Sequence, residues 1–135
     1  MRELSRLLYL SSSSEMLSED HLREILDQSR KNNEKLGITG VLCVGGGHFI
    51  QVLEGNEPDL IRLYSKIIDD PRHHDSVLIG IAPIRARMFQ QWSMGYIQKS
   101  LEAMSDRRAQ LLEYRSRHDQ GDELVRIMQR FLNNG

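Results

Sequence analysis

Apolar residues occur along this chain in short runs and in helical stripes, separated by polar or glycine-rich punctuation. Leu7-Leu8-Tyr9-Leu10 is a short apolar run that ends in Ser11-Ser12-Ser13-Ser14, which reads as a buried strand entering a polar loop. Ser18 followed by Glu19 and Asp20 predicts a helix start, because serine caps free amides and acids suit the positive end of the helix dipole. That helix is expected to run to Leu36, where Gly37 stops it. Ile38 to Val44 and His48 to Glu54 read as strands joined into a hairpin by Gly45-Gly46-Gly47. A glycine-rich phosphate cradle would need a helix to follow, and a strand follows instead. Asn56-Glu57-Pro58-Asp59 starts a second helix, with Asn56 as N-cap, carrying Leu60, Ile61, Tyr64, Ile67 and Ile68 up to Asp69-Asp70-Pro71. A fourth strand is expected over Val77 to Ile84 and a fifth over about Trp92 to Gln98.

The order β-α-β-β-α-β plus one strand predicts an α+β, ferredoxin-like fold, an antiparallel sheet with both helices on one face. After Ser100 the pattern turns helical, with a break near Asp119-Gln120-Gly121-Asp122. Leu124, Ile127, Met128 and Phe131 then give the last piece one apolar face. It is expected to cover the bare face of the sheet, the alternative being a segment that binds a partner. Residues 1–100 thus read as the domain and 101–135 as a C-terminal helical extension.

Composition narrows the class. At 135 residues there is room for one domain and a modest appendage. With 39% hydrophobic and 27% charged residues, the chain is of globular rather than disordered type. A net charge of -1 offers no electrostatic footprint for nucleic acid, and the arginines after Arg107 are interleaved with acids. Cys43 is the only cysteine, so no intramolecular disulfide and no CxxC metal site exist, and its apolar run predicts an inert buried thiol. Arg2, Glu3 and Arg6 interrupt the first apolar stretch, so no signal peptide is expected. No apolar run approaches membrane-spanning length, and a cytoplasmic protein is the expectation. His73-His74 has no metal-site spacing around it.

Three polar side chains fall on faces that periodicity assigns to the core. At about 100° per residue, Leu22, Ile25, Leu26 and Leu36 share a helix face with Asn33 in its middle. A buried amide is costly unless its donors and acceptor are used. In the third strand Phe49, Gln51 and Leu53 share one face, and Ile50 and Val52 the other. In the first strand Tyr9 shares a face with Leu7. Each alone has a bland reading: an Asn bonding backbone, or a satisfied core tyrosine. Together they would supply uncharged donors and acceptors, suited to a flat heteroaromatic ligand in an apolar slot walled by Ile25 and Ile67.

These residues, and their neighbours, resemble the BLUF domains, blue-light sensors using flavin adenine dinucleotide. The resemblance rests on Tyr9, the stretch from Asn33 through Gly37-Ile38-Thr39-Gly40, and Phe49-Ile50-Gln51-Val52-Leu53-Glu54-Gly55. Asp70-Pro71-Arg72-His73 and Phe89-Gln90-Gln91-Trp92-Ser93-Met94 complete it. It implies a flavin ring between the two helices, flanked by Ile25 and Ile67. Asn33 would bond the polar edge of the ring, Gln51 would stand between Tyr9 and the flavin, and Lys66, Asp70, Arg72 and His73 would lie near its ribityl or pyrimidine side. Trp92 and Met94, expected on one face of the fifth strand, match the family's switch segment. The implied action is photochemical: transient electron and proton movement from Tyr9, then rearrangement of the hydrogen bonds through Gln51 by rotation or tautomerisation. FAD is the implied cofactor, with FMN or riboflavin also able to bind, since no GxGxxG sits at a strand-to-helix turn.

The implied partners are the flavin, a downstream signalling protein and a second copy of the chain, with neither nucleic acid nor membrane, and no enzymatic activity is expected. Two other readings remain at this point. One is an acylphosphatase-like hydrolase, disfavoured because Ser11 to Asp20 holds no arginine or lysine. The other is a colourless interaction or ligand-sensing module on the same fold.

Overall fold

The computed structural model describes residues 4–13, 19–70, 73–90, 92–117 and 130. The elements are β1 (Leu4–Ser13), α1 (Glu19–Leu36), β2 (Thr39–Gly45), β3 (His48–Asn56), α2 (Glu57–Asp69), β4 (His73–Ile84), β5 (Gly95–Gln98) and α3 (Leu101–Arg117). The strands form one sheet in the order β4-β1-β3-β2-β5. The predicted order of elements holds. The N-cap predicted at Ser18 and the tail piece from Leu124 to Phe131 lie outside the described residues.

Several boundaries move for identifiable reasons. β1 continues through the serines expected to form a loop, because it is central and pairs antiparallel with both β3 and β4. Ser11 faces Phe49 and Ser12 faces both His48 and His74. The hairpin closes on Gly46 and Gly47 alone, at φ 57 and 80, the left-handed pair that a two-residue turn of matching twist requires. Gly37, at φ 67, ends α1, and Ile38 N–H donates to the Asn33 carbonyl at 2.9 Å, closing the helix in a Schellman arrangement. Leu36, placed on the core stripe by periodicity, falls in this last turn and is exposed.

The sheet is not wholly antiparallel. β5 runs parallel to β2, with Val41 beside Gly95 and Val44 beside Gln98. Strand direction depends on where the intervening chain crosses, which local periodicity does not encode.

Each sheet face carries its own core, as the alternation in β1 and β3 requires. Leu7, Tyr9, Phe49 and Leu53 pack beneath α1 and α2 with Leu26, Leu60 and Met94. Leu8, Leu10, Ile50 and Val52 pack on the opposite face with Met104, Leu111 and Tyr114 of α3. The bare sheet face is therefore covered by 101–117. Ser100 caps that helix, accepting from Ala103 N–H at 3.1 Å. Cys43 lies in the second core, where burial pushes its thiol up to about 12 against a small opposing effect of Lys99. No helix among the described residues is long and apolar enough to cross a membrane.

Candidate functional site

The site begins with strand register. Tyr9 and Gln51 are direct partners across β1 and β3 and point to the helix-bearing face. The Tyr9 hydroxyl donates to Gln51 Oε1. Tyr9 is 1% exposed, and burial, followed by Tyr64 and Asp70, raises its pKa far above the ordinary phenol range. The phenol is thus held neutral. Tyr64 on α2 packs beside it, with ring centroids 5.1 Å apart.

The other end of the same amide is also engaged. Gln51 Nε2 donates to Met94 Sδ at 3.2 Å, so the carboxamide lies between a phenol and a thioether with its two ends told apart. Gln51 and Met94 are both buried. One N–H and one lone pair of this amide stand beyond these two bonds.

Asn33 faces the same core from α1 and is fully buried. Its Nδ2 donates to the Ser93 carbonyl at 2.6 Å, while its Oδ1 has no hydrogen-bond partner among the described residues. A buried acceptor without a donor costs about 1–3 kcal/mol, so this arrangement is expected at a ligand site rather than in a finished core.

Three consecutive carbonyls ahead of β5 are taken by three different groups. Trp92 O accepts from Gly40 N–H at 2.8 Å, Ser93 O from Asn33, and Met94 O from Arg30 Nε at 3.1 Å. The first bond ties Trp92 to β2, while the other two draw the Ser93 and Met94 carbonyls to α1, and regular pairing of β5 starts at Gly95. Trp92 and Met94 accordingly do not share a strand face. Met94 is 2% exposed beside Gln51, whereas Trp92 is 45% exposed, its ring lying over Gly95 and stacked on Phe89 at 5.7 Å.

Residues 4–95 match the family described as sensors of blue light using FAD. The chain belongs to the BLUF family. It is 34% identical over 94 residues to the photoactivated adenylate cyclase subunit alpha of Euglena gracilis, covering 68% of this chain and 9% of that protein. The chain thus spans about a tenth of the length of such relatives. Among solved structures, the dark state of BlrB, a BLUF protein, superposes with a TM-score of 0.74 at 32% identity, covering 98% of this chain and 96% of that one. BlrP1 of Klebsiella pneumoniae, solved with FMN and cyclic diGMP, gives 0.71 at 30% identity, covering 98% of this chain and 35% of that one. The BLUF domain is a sensor module with no catalysis of its own.

Four of the remaining predicted residues of this BLUF domain, Ile25, Lys66, Ile67 and Asp70, are placed on α1, on α2 and at the end of α2. Ile67 is half-buried and packs against the Tyr9 core, and Ile25 is half-buried on α1. Lys66 lines a cleft of about 270 Å³ between α1 and α2, together with Asn32, Lys35, Asp59, Arg62 and Leu63. Asp70 is half-buried at the end of α2, where its N–H donates to the Ile67 carbonyl at 3.1 Å. Arg72 and the side chain of His73 lie outside the described residues.

Two groups escaped sequence reasoning. Arg30 sits three residues before Asn33 and four after Leu26, on the same stripe, and that spacing could have drawn attention to it. Arg6 and Glu54 fall on the opposite sheet face, in period with Leu8, Leu10, Ile50 and Val52.

Proposed function

We propose that this chain holds one flavin non-covalently between α1 and α2 and works as a blue-light switch. The switched element is the Tyr9-Gln51-Met94 chain of hydrogen bonds, and the output is a change in association with another protein chain. The observation that carries this reading is the buried Gln51 carboxamide, engaged at one end by a phenol and at the other by a sulfur.

The residues fit a flavin. The polar edge of its ring alternates carbonyl acceptors with an N–H donor, and the unpartnered, buried Asn33 Oδ1 can accept from such a donor. Gln51 has an N–H left to give, Ile25 and Ile67 supply apolar walls, and Lys66 and Asp70 stand at the rim; Arg72 and His73 are proposed as further contacts on the family resemblance alone. Among the described residues no charged side chain is buried on the ring side of the site, as suits a neutral ligand. FAD is the cofactor proposed, and the same ring contacts would retain FMN or riboflavin.

Bound there, a flavin supplies absorption of blue light and a transient acceptor for one electron and one proton. Tyr9 is the group able to give both, since burial keeps its proton on and the electron and proton must leave together. Gln51 Oε1 already holds that proton's hydrogen bond and positions it. After the proton returns, exchange of the two amide ends by rotation turns Oε1 toward Met94, where an N–H had been. The sulfur then loses its donor, and the 92–94 segment feels the change. Tautomerisation moves one amide proton from nitrogen to Oε1: the N–H on Met94 is kept, the second N–H is lost, and the oxygen facing Tyr9 becomes a donor. Both routes change the local field without burying a charge.

The 92–94 segment is the route outward. Phe89 lies in the core beneath α3 and Met94 in the core beneath α1 and α2, so one short stretch touches both faces. Residues 1–100 are proposed as the photosensory domain and 101–135 as the extension that delivers the output, with a second copy among the partners. A change of partner affinity requires two discrete arrangements, which the amide provides.

Tyr9→Phe tests this reading. The variant is expected to retain flavin but to lose the small light-induced red shift and its thermal recovery. A normal photocycle in Tyr9→Phe would remove Tyr9 from its role.

A further inference from the structure

A fully buried carboxylate lies on the sheet face away from the amide. Glu54 is 0% exposed, on the same face as Ile50 and Val52, and directly opposite Arg6 across β1 and β3. Arg6 meets it through Nε at 2.9 Å and Nη2 at 2.8 Å. Its remaining acceptor capacity goes to the β4–β5 connection. Met88 N–H lies 2.9 and 3.0 Å from the two carboxylate oxygens, and Phe89 N–H 2.8 Å from Oε1. Arg87 binds the same place from its side chain, donating to Thr39 Oγ1, the Glu54 carbonyl and the Gly37 carbonyl at 2.9, 2.9 and 2.7 Å.

A buried ion pair is poor evidence for stability, since desolvation offsets its attraction. Its value lies in where it fixes the chain. Met88 and Phe89 lie at the near end of the stretch that carries Trp92, Ser93 and Met94, and the Phe89 carbonyl accepts from Trp92 N–H at 3.3 Å. The other end of that segment is fixed by pairing of Gly95 with Val41. Between these two ends, Met94 reaches Gln51 across the sheet edge. The position of the sulfur on the amide is therefore set jointly by the anchor at Met88 and Phe89 and by the bonds to the Trp92, Ser93 and Met94 carbonyls.

We propose that Glu54 is a positioning residue for the photocycle: with Arg6 as its counter-ion, it fixes the near end of the 89–94 segment and so holds Met94 against Gln51 in the dark arrangement. This rests on the reading of Gln51 as the switched group. Loosening the anchor weakens the dark arrangement more than the lit one, so thermal recovery slows while the flavin environment is unchanged.

Glu54→Gln tests it. The Gln oxygen can still accept from one amide, but its NH2 group faces the Arg6 guanidinium, donor against donor. Recovery in the dark is expected to slow about tenfold, the change in rate produced by one lost charge-assisted contact. The dark spectrum, the size of the red shift and the flavin content should match the native protein, which a merely destabilised core would not achieve. Adding Arg6→Gln supplies an acceptor for the new NH2 group and should return recovery to within about threefold of native. Recovery at the native rate in Glu54→Gln, or no rescue by the second substitution, would overturn the proposal.

If Glu54→Gln does not fold, amide exchange in the native protein decides. Met88 and Phe89 amides should keep their protection under illumination while the Gly40 amide, bonded to Trp92 O, loses it. Equal loss at all three would show that the anchor is not fixed. A native protein with no light-induced shift at all would instead sink the flavin reading, which separates the two failures.

Discussion

The two faces of one sheet teach different lessons. Beneath α3, β1 and β3 present Leu8, Leu10, Ile50 and Val52, flanked by the Arg6–Glu54 pair at one end and by Ser12 and His48 at the other. Beneath α1 and α2, the alternate residues of the same strands include Tyr9 and Gln51, with Asn33 above them and one acceptor left without a donor. A single-residue offset along the strand thus separates an aliphatic set of strand residues from one that carries a phenol and a carboxamide. The first face sets stability and the second sets response.

Substitutions on either side should therefore act on different observables. Leu10→Ala, on the α3 face, is expected to cost about 2–5 kcal/mol in unfolding free energy, because a fully buried leucine leaves a cavity. Its light-minus-dark spectrum should match native, and a lost red shift in a folded Leu10→Ala would break the division between faces. On the other face, Asn33→Leu removes an acceptor with no partner among the described residues together with the donor to the Ser93 carbonyl, so the apoprotein should melt only slightly below native. Flavin affinity, followed by fluorescence quenching, should fall about tenfold to a hundredfold. Unchanged affinity would remove Asn33 from the ligand site.

Met94→Leu keeps the bulk and removes the weak sulfur acceptor. Recovery after a flash is expected to slow about twofold to fivefold, since the dark arrangement loses one weak bond. An unaffected recovery would favour tautomerisation, which leaves the Met94 side of the amide alone. The smallest effect is that of pH. Cys43 is raised from 9.0 to about 12 and Tyr9 is raised above 10.0, both held neutral by burial. Stability is therefore flat below pH 9.0, where the loss is only about 0.4 kcal/mol. Above it the unfolded thiol ionises while the folded one does not, and stability falls as pH rises toward about 12. The difference between the thermal melts of the native protein and Cys43→Ala should be constant below pH 9.0 and change above it, as the native protein alone loses the thiol's contribution.

Much of this arrangement is legible in the residue pattern, and the exceptions share a cause. Alternation in β1 and β3 places Tyr9 and Gln51 on one face, and the 3.6-residue period places Asn33 over them, because each depends only on local geometry. The hairpin follows from glycines at positive φ, where the lack of a side chain removes the steric cost. What local pattern misses is set by distant groups. Trp92 and Met94 look like alternate residues of a strand, but the carbonyls between them are claimed by Gly40, Asn33 and Arg30, and the pleat never forms. The parallel pairing of β5 and the exposure of Leu36 are likewise decided by where the chain passes afterwards. Arg6 and Glu54 carry a visible signal, two opposite charges in register with apolar neighbours. Their meaning emerges only when Met88 and Phe89 close on the carboxylate.

The most direct measurement is the light-minus-dark absorbance of Gln51→Leu loaded with flavin. Leucine fills the space between Tyr9 and Met94 but offers neither end of an amide, so bound flavin with no reversible red shift is the expected result. A Gln51→Leu protein that shifts and recovers as the native one does would contradict the assignment of that carboxamide as the element light rearranges.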